Sequence, residues 1–177
     1  MVDAAQPLNG RQRLTVALIA LWLAFQVLFP LRHLLYPGDP SWTEQGHRFA
    51  WQIKLRDKAA VTTFVVRDSA SGREWVVLPE DYLLPHQAGA IDGRPDMILQ
   101  FAHYLARLWA QQAGIPGVEV RAHVCASLNG RQPAVLIDPG RDLAKVERSL
   151  RHADWILPLA QPFRRPLPRS GPDGIGC

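Results

Sequence analysis

Eighteen consecutive residues without a charge, LTVALIALWLAFQVLFPL at 14–31, stand ahead of a region where apolar and polar positions alternate over short runs. A helix of that length rises roughly 27 Å at about 1.5 Å per residue, close to the ~30 Å hydrocarbon core of a bilayer. Eleven of its residues are Leu, Ile, Val or Phe, each favouring insertion by about 0.3–0.6 kcal/mol. Gln26 is the one costly polar residue, and Pro30 lies at the far end, where a membrane helix tolerates it. The pattern predicts a transmembrane helix and its exit over 11–35. A cleaved signal peptide would show a shorter apolar region and a small-residue cleavage site, which Phe29-Pro30-Leu31-Arg32 does not supply. A buried core helix would carry a polar face, and this segment is apolar all round.

Tyr36-Pro37-Gly38-Asp39-Pro40 is a breaker cluster. Ser41 or Thr43 can cap a helical turn after it, with Glu44 in the first turn. The β-branched run 61–66, a turn over Ser69–Gly72 and the run 75–78 predict a β-hairpin. Residues 95–113 form the clearest soluble helix: Pro95 suits its first position, and Met97, Phe101, Leu105, Leu108 and Trp109 recur on one face. Residues 118–125 alternate, Asn129-Gly130 is a two-residue turn signal, and 133–137 returns, predicting a second hairpin. A short helix is expected over Asp142–Leu150, with Trp155-Ile156-Leu157 packing on the body. Together these predict an α+β fold: one transmembrane helix followed by a β-rich extracytoplasmic domain with one long helix. The expected boundaries are a disordered N-terminus at 1–10, the membrane helix at 11–35, the domain at 36–157 and a disordered, Pro/Arg/Gly-rich tail at 158–177.

Charge adds an orientation. Arg11 and Arg13 precede the span and Arg32 follows it, a positive-inside bias that places the domain outside the cytoplasm. The formal net charge is +4, but no helix-turn-helix, zinc-finger or aromatic-basic pattern accompanies it, so no nucleic-acid partner is expected. The expected partner is the lipid bilayer. With two cysteines in the chain, a disulfide is open, but a buried free thiol is the expected state of Cys125.

No H-E-x-x-H, paired C-x-x-C, P-loop, G-x-S-x-G or G-x-G-x-x-G motif is present. The six histidines are scattered and make no i, i+4 pair, so no metal is expected. His103 and His123 read as surface residues. Two stretches carry more chemistry. At the expected membrane exit, the imidazole of His33 can act as a base; interfacial anchoring by Arg32, His33 and Tyr36 accounts for the same residues. In Gly46-His47-Arg48-Phe49-Ala50-Trp51, Arg48 can bind a carboxylate; a packing corner between membrane and domain is the competing reading.

At these two places the chain resembles the bacterial form of the vitamin K-dependent γ-glutamyl carboxylase family. The matching stretches are PLRHLLYPGDPSWTEQGHRFAWQIKLRDK at 30–58, RPDMILQFAHYLARL at 94–108 and VCASLNGRQPAVLIDPGRDLA at 124–144. The resemblance spans about 14–157 and implies the end of a membrane bundle plus the first part of a β-rich extracytoplasmic domain. It implies vitamin K hydroquinone as cofactor, CO₂ and O₂ as co-substrates, and a glutamate-containing peptide or protein as substrate. His33 matches a histidine proposed to help deprotonate the quinol. His47, Arg48 and Trp51 fall in a region implicated in engaging the glutamate; Ala50 stands where the family has serine. The family's catalytic lysine lies in earlier membrane helices that this chain lacks. The chain is therefore expected to be a C-terminal piece, inactive without the missing helices, the alternative being a membrane-anchored peptide-binding module without catalysis.

Overall fold

The structure is a computed structural model and describes residues 9–51, 56–159 and 177. The expected N-terminal segment 1–10 and the tail 158–177 lie outside the described residues, apart from 9–10, 158–159 and Cys177. Helix α1, Gly10–Leu28, opens on a capping box: the Asn9 side chain accepts from Gln12 N–H and the Gln12 side chain accepts from Asn9 N–H. No residue of α1 is buried against the rest of the protein, and by length and composition it can cross a membrane. Pro30 sets its end. Proline has no N–H to continue the ladder, and Pro30–Leu35 tightens into a 3₁₀ turn.

Four strands make one antiparallel sheet in the order β2–β1–β3–β4. They are β1, Lys58–Asp68; β2, Glu74–Val77; β3, Val118–Leu128; and β4, Ala134–Val135. The two expected hairpins thus share a sheet, because β1 and β3 pair along their full lengths, from Lys58 opposite Leu128 to Asp68 opposite Val118. Alternation sorts the faces. Thr62, Phe64, Val66, Val120, Ala122, Val124 and Ala126 point into the core, whereas Val61, Val76 and His123 stay exposed on the other face.

Helix α4, Pro95–Gln112, covers the core face with Ile98, Leu99, Phe101, Ala102 and Leu105. Phe101 meets Phe64 edge-on, ring centroids 5.0 Å apart, a favoured aromatic arrangement. Trp155 and Ile156 are buried as expected, and Ile156 bridges to Ile137.

Several local expectations change. Asp39, rather than Ser41 or Thr43, caps the short helix α2, Pro40–Thr43; its carboxylate accepts from Ser41 N–H. Glu44 ends that helix in the left-handed region (φ 59°) instead of opening it. A further helix, α3, spans Pro85–Ile91. Between Asp142 and Leu150 only a 3₁₀ turn forms, Leu143–Lys145. Asp142 spends its carboxylate on that turn and on Val120 N–H of β3, which holds the segment against the sheet rather than letting it wind on. His103 is half-buried, its Nε2 2.8 Å from the Val146 carbonyl, because α4 turns that side toward 143–146. Cys125 is not a free thiol: it is disulfide-bonded to Cys177.

Truncating the core is expected to unfold the domain selectively. Phe64→Ala should cost about 3–5 kcal/mol, while Val76→Ala, at a position 71% exposed, should stay within about 0.5 kcal/mol. Urea unfolding of the full chain in micelles, followed by near-UV circular dichroism, measures both; equal losses would contradict the assigned faces.

Candidate functional site

Trp42 is the root of the site. Its side chain is fully buried, its indole N–H donates to the Leu157 carbonyl (2.8 Å), and its own carbonyl accepts from Lys58 Nζ (2.6 Å). The chain that follows α1 is thereby fastened to both ends of the domain. Above Trp42, Glu44 turns left-handed and its carboxylate faces two cations: Arg56 Nη1 at 2.7 Å and Lys58 Nζ at 3.5 Å. Burial pulls the Lys58 amine down to about 8, against the Glu44 carboxylate and with help from Arg56 and Arg94.

The loop continues through Gly46 (φ 66°) to His47, Arg48 and Phe49. Gly46 is required here on two counts. Its φ suits glycine, and a Cβ would lie 2.7 Å from His33 Cα and 2.9 Å from the Tyr36 ring. That close approach brings the two sequence-predicted stretches together, with the His33 backbone packed on the His47 loop. The Nδ1 of His33 lies 2.8 Å from the Pro30 carbonyl. A carbonyl only accepts, so the proton sits on Nδ1 and Nε2 is the basic nitrogen. His47 is held below the ordinary histidine range chiefly by burial, then by Arg56, with smaller contributions from His33 and Lys58; Glu44 opposes them. It is neutral at pH 7 and can accept or donate.

Arg48 already holds a carboxylate. It pairs with Asp96, in the first turn of α4, and its carbonyl accepts from Arg32 Nη2. Phe49 adopts φ 63°, a conformation that bulky residues rarely take and that costs of order 1–3 kcal/mol. Its ring lies 6.0 Å from that of Phe29. Trp51 is 68% exposed and, unlike His47 and Arg48, does not line the cavity described below.

These parts border a cavity of about 660 Å³, the size range of ligand sites. Its near wall is Arg32, Tyr36 and 43–48, its floor is Pro95, Asp96 and Leu99, and its far wall is 145–156 with Arg141. The Tyr36 hydroxyl donates to the Leu150 carbonyl (2.5 Å), and His152 Nδ1 lies 2.9 Å from Gln45 Oε1, so the walls are tied across the opening. A second cavity of about 470 Å³ lies behind Glu44 and is bordered by Arg56, Lys58, Asp92 and Arg94. Burial also pushes the Asp92 carboxyl up, against Thr62. Among the described residues no group of three or more His, Cys, Asp or Glu could hold a metal ion.

The sequence singled out His33 and His47 but passed over Lys58, Arg56 and the role of Glu44. A lysine opening an alternating strand gives no sign of burial; only the left-handed turn at Glu44 brings a carboxylate above it.

The model of the vitamin K-dependent gamma-carboxylase lumenal domain matches residues 11–162. The chain belongs to that family. No solved structure matches it. The carboxylase family implies vitamin K hydroquinone, whose ring requires apolar walls shielded from water. Along α1 nothing is buried, and the larger cavity mixes apolar residues such as Leu99, Leu150 and Ile156 with charged ones such as Arg32, Arg48 and Asp96. The described residues of this carboxylase-family chain therefore do not by themselves fit the hydroquinone.

Two measurements test this geometry. Gly46→Ala should cost more than about 1 kcal/mol, because alanine is strained at positive φ and collides with His33; a melting temperature equal to that of the parent would contradict the contact. Lys58 should make stability depend on alkaline pH. The unfolded chain keeps the lysine proton to about 10.5 and the folded chain releases it near 8. Between those values the unfolded state binds more protons, so stability rises with pH across the window. Thermal unfolding at intervals from pH 7.5 to 10.5 should show that Lys58→Met lacks the rise; identical slopes would contradict the burial of the amine.

Proposed function

We propose that this chain supplies the substrate-presenting part of a vitamin K quinol-dependent γ-glutamyl carboxylase, which adds CO₂ to glutamate side chains. The observation that carries the reading is the packing of His33, at the membrane exit, against the His47 loop at the wall of a cation-rich cavity. In this reading a glutamate-bearing peptide enters the cavity from the extracytoplasmic side. Neutral His47 offers a hydrogen bond, and Trp51 lends an exposed aromatic surface to the approach. Arg48, paired with Asp96, lines the wall along which the peptide lies. His33 holds its proton on Nδ1 and presents Nε2 as the base at the membrane boundary. The hydroquinone, when bound, supplies the oxidative force that makes the glutamate γ-proton removable. Further membrane helices complete its site.

A second reading is favoured by one observation, that the described residues form a peptide-sized cavity but no enclosed quinol site. It is a membrane-anchored extracytoplasmic module that binds glutamate-containing peptides without chemistry.

Co-expression of this chain with a carboxylase membrane bundle separates the two. The carboxylase reading expects quinol-dependent incorporation of labelled CO₂ into a glutamate peptide, lowered by about 100-fold or more in His33→Ala, the scale of a lost general base. Peptide binding with no quinol-dependent incorporation would replace it with the module reading.

A further inference from the structure

Among the described residues, Arg32 is a cation at the cavity with no ion-pair partner and a buried, unpartnered guanidinium nitrogen. Its guanidinium lies 4.2 Å from the Phe29 ring centroid and 5.9 Å from that of Phe49. Nη2 donates to the Arg48 carbonyl, a neutral acceptor. Nη1 is buried and has no hydrogen-bond partner, and among the described residues no carboxylate lies within ion-pair distance of Arg32. Arg48, by contrast, is neutralised by Asp96. An unmet buried guanidinium donor costs free energy that a bound anion returns.

The second orphan at the same cavity is His47 Nδ1, also buried and without a partner. Two unsatisfied polar groups, one cationic and one neutral, thus stand on the same wall. Aromatic packing and the bond to the Arg48 carbonyl fix the direction of the arginine fork before any ligand arrives.

We propose that Arg32 Nη1 and His47 Nδ1 form a two-point clamp for a side-chain carboxylate, with Arg32 rather than Arg48 carrying the charge recognition. This rests on the reading that the cavity receives a glutamate side chain. Arg32 takes one carboxylate oxygen through an N–H that is already desolvated. His47, protonated on Nδ1 in its neutral form, donates to the other. Specificity for glutamate over glutamine follows, because the amide N–H₂ of glutamine would oppose one of the two donors. A lipid phosphate is the competing anion for an arginine at a membrane exit. The burial of both orphan atoms beside a recess favours the smaller, planar carboxylate carried in on a peptide.

The test uses the full chain in nanodiscs of zwitterionic lipid and of lipid containing anionic phosphatidylglycerol. The probe is N-acetylglutamate N-methylamide, with the glutamine compound as its neutral counterpart, followed by calorimetry or saturation-transfer NMR. The expected result is that Arg32→Gln weakens the glutamate probe about tenfold or more, and that Arg32→Lys, which keeps the charge but not the fork, also loses most of the affinity. Arg107→Gln, an exposed charge on α4 outside the cavity lining, should stay within about twofold as a control for net charge. His47→Ala should narrow the preference for glutamate over glutamine. Unchanged melting temperatures exclude a folding defect, and Arg32→Lys keeps the test open if Arg32→Gln does not fold. Probe binding that ignores both Arg32 substitutions overturns the clamp but leaves the substrate-presenting role standing. Competition by anionic lipid that disappears in Arg32→Gln assigns the guanidinium to a headgroup and also overturns it. Failure of the parent chain to bind the glutamate probe removes both proposals.

Discussion

Everything that joins α1 to the domain runs through the burial of Trp42. Among the described residues between the end of α1 and β1, it is the one large side chain that is fully enclosed. Its indole N–H is satisfied by the Leu157 carbonyl, far along the chain, which a buried indole requires. Its carbonyl takes Lys58 at the start of β1. One residue thus anchors the exit segment to the last buried stretch and to the first strand. The placement of His33 beside the His47 loop, and with it the cavity wall, depends on that anchor.

Electrostatics then shapes the loop above it. Glu44 is drawn down to Arg56 and Lys58, and a left-handed backbone lets it reach them. Gly46 and Phe49 also take positive φ, so three residues in six are left-handed. Strain of this density persists only where surrounding contacts enforce it, and here the ion cluster, Tyr36 and Phe29 do so. Burial holds His47 below the ordinary histidine range, and Arg56, which also holds Glu44, adds to the effect. At the surface Arg48 is matched by Asp96, whereas the buried Nη1 of Arg32 has no partner among the described residues.

Much of the fold is legible in the sequence because its signals are periodic. The uncharged run sets α1, period-2 alternation sets β1 and β3, and the three-and-four spacing from Pro95 sets α4. The family resemblance agrees with the match over 11–162. What the sequence withheld depends on contacts between distant residues. Helical propensity over 142–150 yields to Asp142 bonding across to Val120. Cys125 and Cys177 are 52 residues apart, and spacing gives no sign that they join. The site was half visible. His33, His47, Arg48 and Trp51 stood out as chemistry-bearing types, but local sequence could not show that Asp96 occupies Arg48, that Trp51 lies outside the cavity lining, or that Lys58 lies buried beneath Glu44.

The central claim is that a glutamate-bearing chain enters between the 43–48 loop and the 145–156 wall. Photo-cross-linking with a benzophenone-labelled glutamate peptide, on the full chain in membranes and mapped by mass spectrometry, tests it most directly. The account predicts labels on those two segments and on the start of α4, suppressed by excess unlabelled peptide. Competable labelling of the open sheet face, at Val61, Val76 or His123, with none at the cavity, would contradict it.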